Sequence, residues 1–428
     1  MRLSGYYLPQ GFELHSRWVR PQLFSIVLTI FLLEQVINAY LGVALSVPIV
    51  LFLMLVLRSS SLFAKGIPIG TPSAIAVIVL IMFFQLPSVL FSPDECTINA
   101  KFVTTTLTFL ISVWAMWLLR PELSIFSNIG SRLLLYWIIG SVILAQIGLD
   151  IVTILGTESR SPSGFYFEPS HLALHLVPLV AYRLLRNFSD RLSWISLTLV
   201  SFFAPSTTLA AAMFILIIIK LGMIVRSKWF VAAVLLIGLV VITVLSSNIS
   251  TNPTLTRVSG ILNFSTEEIT SLSSSVWLNG WSQMFDHLVA SNGWGVGINR
   301  MGCGKLNMAG YLTPLISEGR DSVLNATDGS FLFAKVVAEF GFLGLLACIY
   351  LSYLAVNSLL ELSRHVVPVP NATDMQYYSI CRAASGLTLL IFLYVRGISY
   401  FAFPLMLSIT TLLRSPLQIR RTTVPLSP

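Results

Sequence analysis

The sequence predicts an all-α polytopic membrane protein with about twelve transmembrane helices, and three observations carry that prediction. Residues AVILMFWYC make up 55% of the 428 and charged residues only 10%, whereas a soluble domain carries about 25% charged residues. Apolar runs long enough to span a bilayer, about 17–25 residues each, recur along the chain. Lys and Arg gather on alternate connections, as the positive-inside rule requires. The formal charge of +8 is therefore a matter of topology and does not call for nucleic acid. The chain reads as one integral membrane domain, 1–428.

Met1 to Arg20 is polar and carries Arg2, Arg17 and Arg20 ahead of the first apolar run. It reads as a cytoplasmic tail with no cleavable signal. Spans follow near 22–40, 41–57, 72–91, 102–119, 132–155, 169–186, 206–225, 229–246, 330–357, 378–395 and 397–413. A shorter run at 192–204, ending at Pro205, counts as the twelfth. With both termini cytoplasmic, 17 of the 26 Lys and Arg fall on inside segments. Seven fall outside (Lys101, Arg160, Arg257, Arg300, Lys305, Arg320 and Arg396), and Lys335 and Arg382 lie within spans. Dropping 192–204 would invert every later connection and place the basic ones outside.

One outside connection, 247–329, is long, polar and rich in Gly, Ser and Asn; such a loop is ordinarily functional or disordered. Within it, 276–290 has helical spacing. Trp277, Trp281, Met284, Phe285 and Leu288 form an apolar stripe, with Asn279, Gln283, Asp286 and His287 opposite. That pattern suits a helix lying in the membrane interface, or equally a small packed subdomain. Cys96 and Cys303 both fall outside, where a disulfide is chemically permitted.

The unusual polar residues collect on the same side. In the stretch from Arg160 to His171, Pro169 suits a first helical position and Glu168 suits the positive end of the helix dipole. A carboxylate is thereby held at the water–membrane boundary with Arg160 near in sequence. Arg257, Arg300, Arg320 and Arg396 project into that compartment. Arginine is the residue for anionic phosphate, because its planar fork makes bidentate charge-assisted hydrogen bonds. Arg396 lies between two apolar runs, where a charge is costly unless it faces the bundle interior or water. Asp328 precedes the span near 330. Lys335 and Glu339, at i and i+4, can neutralise each other within that span. Helical rise sets Glu339 about 16 Å deeper than Asp328, apart from Glu168.

Other signals fail. The glycine-rich stretch from Gly293 to Lys305 lacks phosphate-loop spacing, and Leu306 stands where Ser or Thr is required. His171 and His175 are an i,i+4 pair with no recognisable third metal ligand. Asp94-Glu95 is a weak dipeptide signal. No metal or other cofactor is expected.

The chain resembles the Wzy-type O-antigen and exopolysaccharide polymerases and the related O-antigen ligases. The stretches that carry the resemblance are Gly164-Phe-Tyr-Phe-Glu-Pro-Ser170, the tryptophan-rich segment into Gly293-Trp-Gly-Val-Gly297, and Glu339-Phe-Gly-Phe-Leu-Gly344. The resemblance implies a GT-C-like glycosyltransferase in a bacterial inner membrane, with 247–329 as its periplasmic loop. Its donor and acceptor would be undecaprenyl-pyrophosphate-linked glycans, with a polysaccharide chain-length regulator as a further partner. It implies Arg160 and Arg257 as the family's periplasmic arginines and Arg320 and Arg396 as phosphate or glycan contacts. Arg300, His171 and Tyr400 are counted with them as substrate-binding. A base for the incoming hydroxyl falls first to Glu168 and then to Asp328. Two departures stand out: Ser330 replaces the His of the ligases, which sets the chain with the polymerases, and Ser275-Val-Trp-Leu278 lacks the usual arginine. The alternatives are a ligase transferring glycan to lipid A core, and a lipid-linked oligosaccharide flippase. A flippase would be expected to show inverted repeats and broken helices near mid-membrane, whereas no internal repeat is visible and the polar residues gather at one face.

Overall fold

The computed structural model describes residues 21–41, 47–48, 101–150, 163–225, 272–301, 331–364, 373–397 and 399–413, and among these it is all-helical. The elements in chain order are α1 (Pro21–Leu41), α2 (Lys101–Leu119), α3 (Glu122–Ile125), α4 (Asn128–Gln146), α5 (Pro169–Arg186) and α6 (Arg191–Phe203). They continue with α7 (Thr207–Val225), α8 (Leu272–Ala290), α9 (Leu332–Arg364), α10 (Thr373–Tyr394) and α11 (Phe403–Leu413). Three segments are long and apolar enough to cross a membrane: Asn128–Gln146, Leu332–Leu362 and Gln376–Tyr394. They mark the chain as a membrane protein. The expected spans near 72–91 and 229–246, and all of that near 41–57 but residues 41 and 47–48, lie outside the described residues.

Local chemistry sets the helix ends. Ser127 caps α4 by accepting from Gly130 N at 2.8 Å, and Asp190 caps α6 by accepting from Ser193 N at 3.0 Å, as N-cap side chains do. The span expected at 132–155 stops at Gln146 because Gly148 turns left-handed (φ 86°). Gly148 N then donates to Ala145 O and Leu149 N to Leu144 O, the closing bonds of a Schellman motif. The span expected at 397–413 begins only at Phe403 and has 11 residues, about 16 Å by helical rise. Residues 395–397 and 399–402 are not helical.

The core is built around α5 and α10. Every residue of α5 from Leu172 to Leu185 is buried, His175 and Arg183 included, so the helix is enclosed on all sides. It packs on α10, which packs in turn on α9 and α11, while α8 lies along α9. The outer faces of α4 (Ile129, Tyr136, Trp137, Ile143) and α9 (Phe342, Leu346, Tyr353) are exposed and apolar.

The face of α8 differs from the sequence expectation. Asn279 and Gln283 are buried, whereas Phe285 is 55% exposed. The first half of α8 is enclosed on more than one side. Trp277 and Trp281 stack with Phe331, and Trp281 also with Phe333.

Candidate functional site

Two polar clusters meet at the stretch 395–402, and each is assembled from distant parts of the chain. The first forms at the head of α5. Gly164 adopts a left-handed conformation (φ 75°), and a β-carbon there would collide with Ser141 of α4. That close approach tucks Phe165 and Tyr166 into the core and brings Glu168 to the N-cap of α5. The Glu168 backbone is extended, and its carbonyl accepts from His171 N and Leu172 N at 3.0 and 3.2 Å. Its side chain makes no capping bond. Instead Oε2 accepts from Arg396 Nη2 and from Ser170 Oγ, each at 3.1 Å. The side chains of Arg396 and Glu168 are 16% and 26% exposed, so the pair is half-buried and reachable.

Arg396 is carried there by the end of α10, where Val395 N and Arg396 N both donate to Ile391 O at 3.0 Å. Trp277 of α8 donates from Nε1 to Tyr394 O at 3.0 Å, fixing the same terminus. Arg396 Nε and His171 Nδ1 are buried with no hydrogen-bond partner among the described residues. His171 also lies within electrostatic reach of both Arg396 and Glu168. A buried polar atom without a partner is costly. The cluster thus combines a carboxylate, a guanidinium and an imidazole with unused hydrogen-bonding capacity.

The second cluster occupies a break in α9. Gly341 (φ 59°, ψ −140°) interrupts the helix, and the loop from Gly293 to Met301 takes over the lost bonds. Val296 N donates to Ala338 O, Gly297 N to Glu339 O and Phe342 N to Gly293 O, each at 2.9 Å. The buried Glu339 carboxylate accepts from Tyr400 Oη at 2.7 Å and from Met301 N at 3.4 Å. Lys335 Nζ lies 4.0 Å from it and sits over the Tyr400 ring at 5.2 Å. Tyr400 is therefore tied to Glu339. Arg300 is buried on the loop between Asn299 and Met301.

A third buried group pairs His175, weighed above only as a metal ligand, with Glu34, which the sequence reading did not single out. His175 Nδ1 faces the His171 carbonyl at 3.1 Å, and Nε2 faces Glu34 Oε2 at 3.0 Å. A carbonyl only accepts, so Nδ1 carries hydrogen, and the Nε2–Oε2 contact then needs one more proton, on either atom. The same Glu34 oxygen accepts from Phe403 N at 3.0 Å. The Tyr166 ring packs on His175 with centroids 4.8 Å apart. Glu34 was legible as an ionisable residue inside an apolar run, but nothing local named its partner.

Of the expected site residues, Glu168, His171 and Arg396 come together, Tyr400 and Arg300 belong to the α9 break, and Arg160, Arg257, Arg320 and Asp328 lie outside the described residues. So do Cys96 and Cys303. Among the described residues no group of three or more His, Cys, Asp or Glu is arranged to hold a metal ion. No family model matches the chain, and no curated protein matches it.

Proposed function

We propose that the chain polymerises undecaprenyl-pyrophosphate-linked oligosaccharide repeat units into O-antigen or a related surface polysaccharide. The reaction would take place on the periplasmic face of a bacterial inner membrane, within a GT-C-like fold of about twelve spans. The observation that carries this reading is the half-buried Glu168–Arg396 pair at 3.1 Å, with His171 beside it. An acceptor hydroxyl attacks the anomeric carbon of the donor, its proton passes to a carboxylate, and lipid pyrophosphate leaves. Glu168 is in place to take that proton. The guanidinium of Arg396 faces the charge that grows on the diphosphate, with Arg160, Arg257, Arg300 and Arg320 as further contacts and Asp328 as the second acidic group. Metal and nucleotide sugar are not required by this scheme.

The test is a gel of surface polysaccharide from a deletion strain complemented with variants. Loss of the ladder with a single repeat unit retained on lipid A supports the polymerase. Long chains accumulating on undecaprenyl would point to a ligase, and repeat units held on the cytoplasmic side to a flippase. Arg396→Ala and Arg160→Ala should each abolish the ladder at unchanged membrane level, and normal ladders from both would refute the assignment.

A further inference from the structure

The exposed rim formed by Phe285, Val289 and Trp294 continues the outer face of α9. Phe285, Val289 and Trp294 are 55%, 77% and 40% exposed, and Phe342 and Leu346 of α9 are 59% and 62% exposed. The two surfaces touch: a β-carbon on Gly293 would collide with the Phe342 ring, and Phe342 N donates to Gly293 O. The bonds from the loop reach Ala338 and Glu339 on one side of the break at Gly341 and Phe342 on the other. The far end of the loop descends alongside α2 as well, where Asn299 Nδ2 donates to Thr105 Oγ1 at 3.0 Å, four residues past the start of that helix.

The piece of α9 past the break sets the depth. By helical rise 342–364 measures about 34 Å, close to a hydrocarbon layer of about 30 Å. With that piece spanning the bilayer, the loop bonded at the break lies at the boundary between headgroups and acyl chains. Irregular backbone is tolerated at that level only where its polar groups are paired within the protein. The break at Gly341 supplies that pairing to Val296, Gly297 and Gly293. Tryptophan is the residue favoured at this boundary, and Asp286, one turn before Ala290, can still reach water.

We infer that the Phe285–Val289–Trp294 rim is a membrane-contact surface, embedded among the outer acyl carbons of the bilayer on the side where α9 begins. The stripe that meets lipid is thus not the tryptophan stripe of α8, which is spent on Phe331 and Phe333. This inference does not depend on the reaction proposed above.

The test uses the full-length chain with Cys96 and Cys303 replaced by Ser; Cys348 and Cys381 are buried. Phe285→Cys, Val289→Cys and Trp294→Cys carry a nitroxide label in vesicles of phosphatidylethanolamine and phosphatidylglycerol. Leu346→Cys serves as the lipid-facing reference. The ratio of collision with oxygen to collision with a water-soluble nickel chelate should be raised at 289 and 294 toward that of position 346. Ratios equal to those of the soluble label would overturn the inference. So would low collision with both reagents, which would mean that another protein surface covers the rim. Phe285→Cys decides the matter by the same readings if Trp294→Cys does not fold.

Discussion

Replacing Gly341 by alanine tests the break in α9 most directly. A β-carbon there would collide with Gly293 O and the Trp294 carbonyl carbon, which are backbone atoms and cannot step aside as a flexible side chain would. The backbone conformation itself costs a non-glycine residue about 1–3 kcal/mol. The chain can escape by straightening α9, which lets Ala338 O and Glu339 O return to partners within the helix. The cost then moves to the loop. Val296 N, Gly297 N and Gly293 O lose bonds of 2.9 Å, each worth about 0.5–1.5 kcal/mol net and more where the group stays buried. Either route gives a loss of about 2–5 kcal/mol. The assay is the midpoint of thermal inactivation of the purified protein in detergent, read by size-exclusion, with amide exchange at Val296 and Gly297. Gly140→Ala is the control, because a β-carbon there meets nothing within 4 Å and alanine favours the helix by about 1 kcal/mol. An unchanged midpoint for Gly341→Ala, with both amides still protected, would refute the account of the break.

Glu34→Gln should cost about 1–3 kcal/mol, since one oxygen, Oε2, meets both Phe403 N and His175 Nε2 and an amide that keeps its oxygen there for Phe403 N leaves a neutral His175 Nε2 without a donor. Glu34→Leu leaves both groups buried without a partner and should cost about 2–6 kcal/mol in the same thermal assay. Burial alone would raise the Asp190 carboxyl, but the hydrogen bonds from Arg183 and Ser193 overcome it and hold the group below its ordinary value. The stabilisation from this pair, bonded at 2.8 and 2.6 Å, is therefore complete above the unfolded-chain value of about 3.9 and is lost as pH falls through the lower folded-state value. Asp190→Asn should flatten that acid limb of a stability–pH curve. For the proposed reaction, Glu168→Gln should lower the rate of polymer formation from purified lipid-linked repeats by about 10²–10⁴-fold. Arg396→Lys should be as inactive as Arg396→Ala in the same polymerisation assay, because an ammonium cannot reproduce the guanidinium fork.

The helices were legible wherever a local signal existed. Pro169 after Glu168 announced the start of α5, and Lys335 with Glu339 announced an internal pair that the structure holds at 4.0 Å. Glu168 and Arg396 were each conspicuous for a charge at the edge of an apolar run, yet they lie 228 residues apart and nothing between them says that they meet. The same holds for Glu34 and His175, 141 residues apart. The buried side of α8 was misjudged because a helical period identifies one apolar stripe, whereas the first half of α8 is covered on several sides and takes Asn279 and Gln283 inward. Gly341 gave no warning either. Glycine is ordinary in apolar helices, and the loop that exploits the break lies some forty residues earlier.

The stretch from Arg396 to Phe403 shows why these clusters belong together. Its described residues before Phe403 are not helical, and four of its positions are held from outside. Arg396 is bonded to the head of α5, Gly397 lies against Leu332 at the start of α9, Tyr400 is bonded to Glu339 at the break, and Phe403 N is bonded to Glu34. Glu34 in turn holds His175, seven residues past Glu168 on α5 and about 10 Å along the helix. Arg396 and Phe403 are also seven residues apart, a separation that could reach about 23 Å if extended. The stretch is thus clamped to one rigid helix at both ends and gathered in between by Tyr400. A displacement of about 1 Å can cost a reaction on the order of 10²-fold, so the groups that fix these anchors bear on Arg396 without touching it. In the proposed reaction Glu34 and Glu339 would act as positioning residues, and their effect on Arg396 should scale with the bonds they lose rather than with their distance from it.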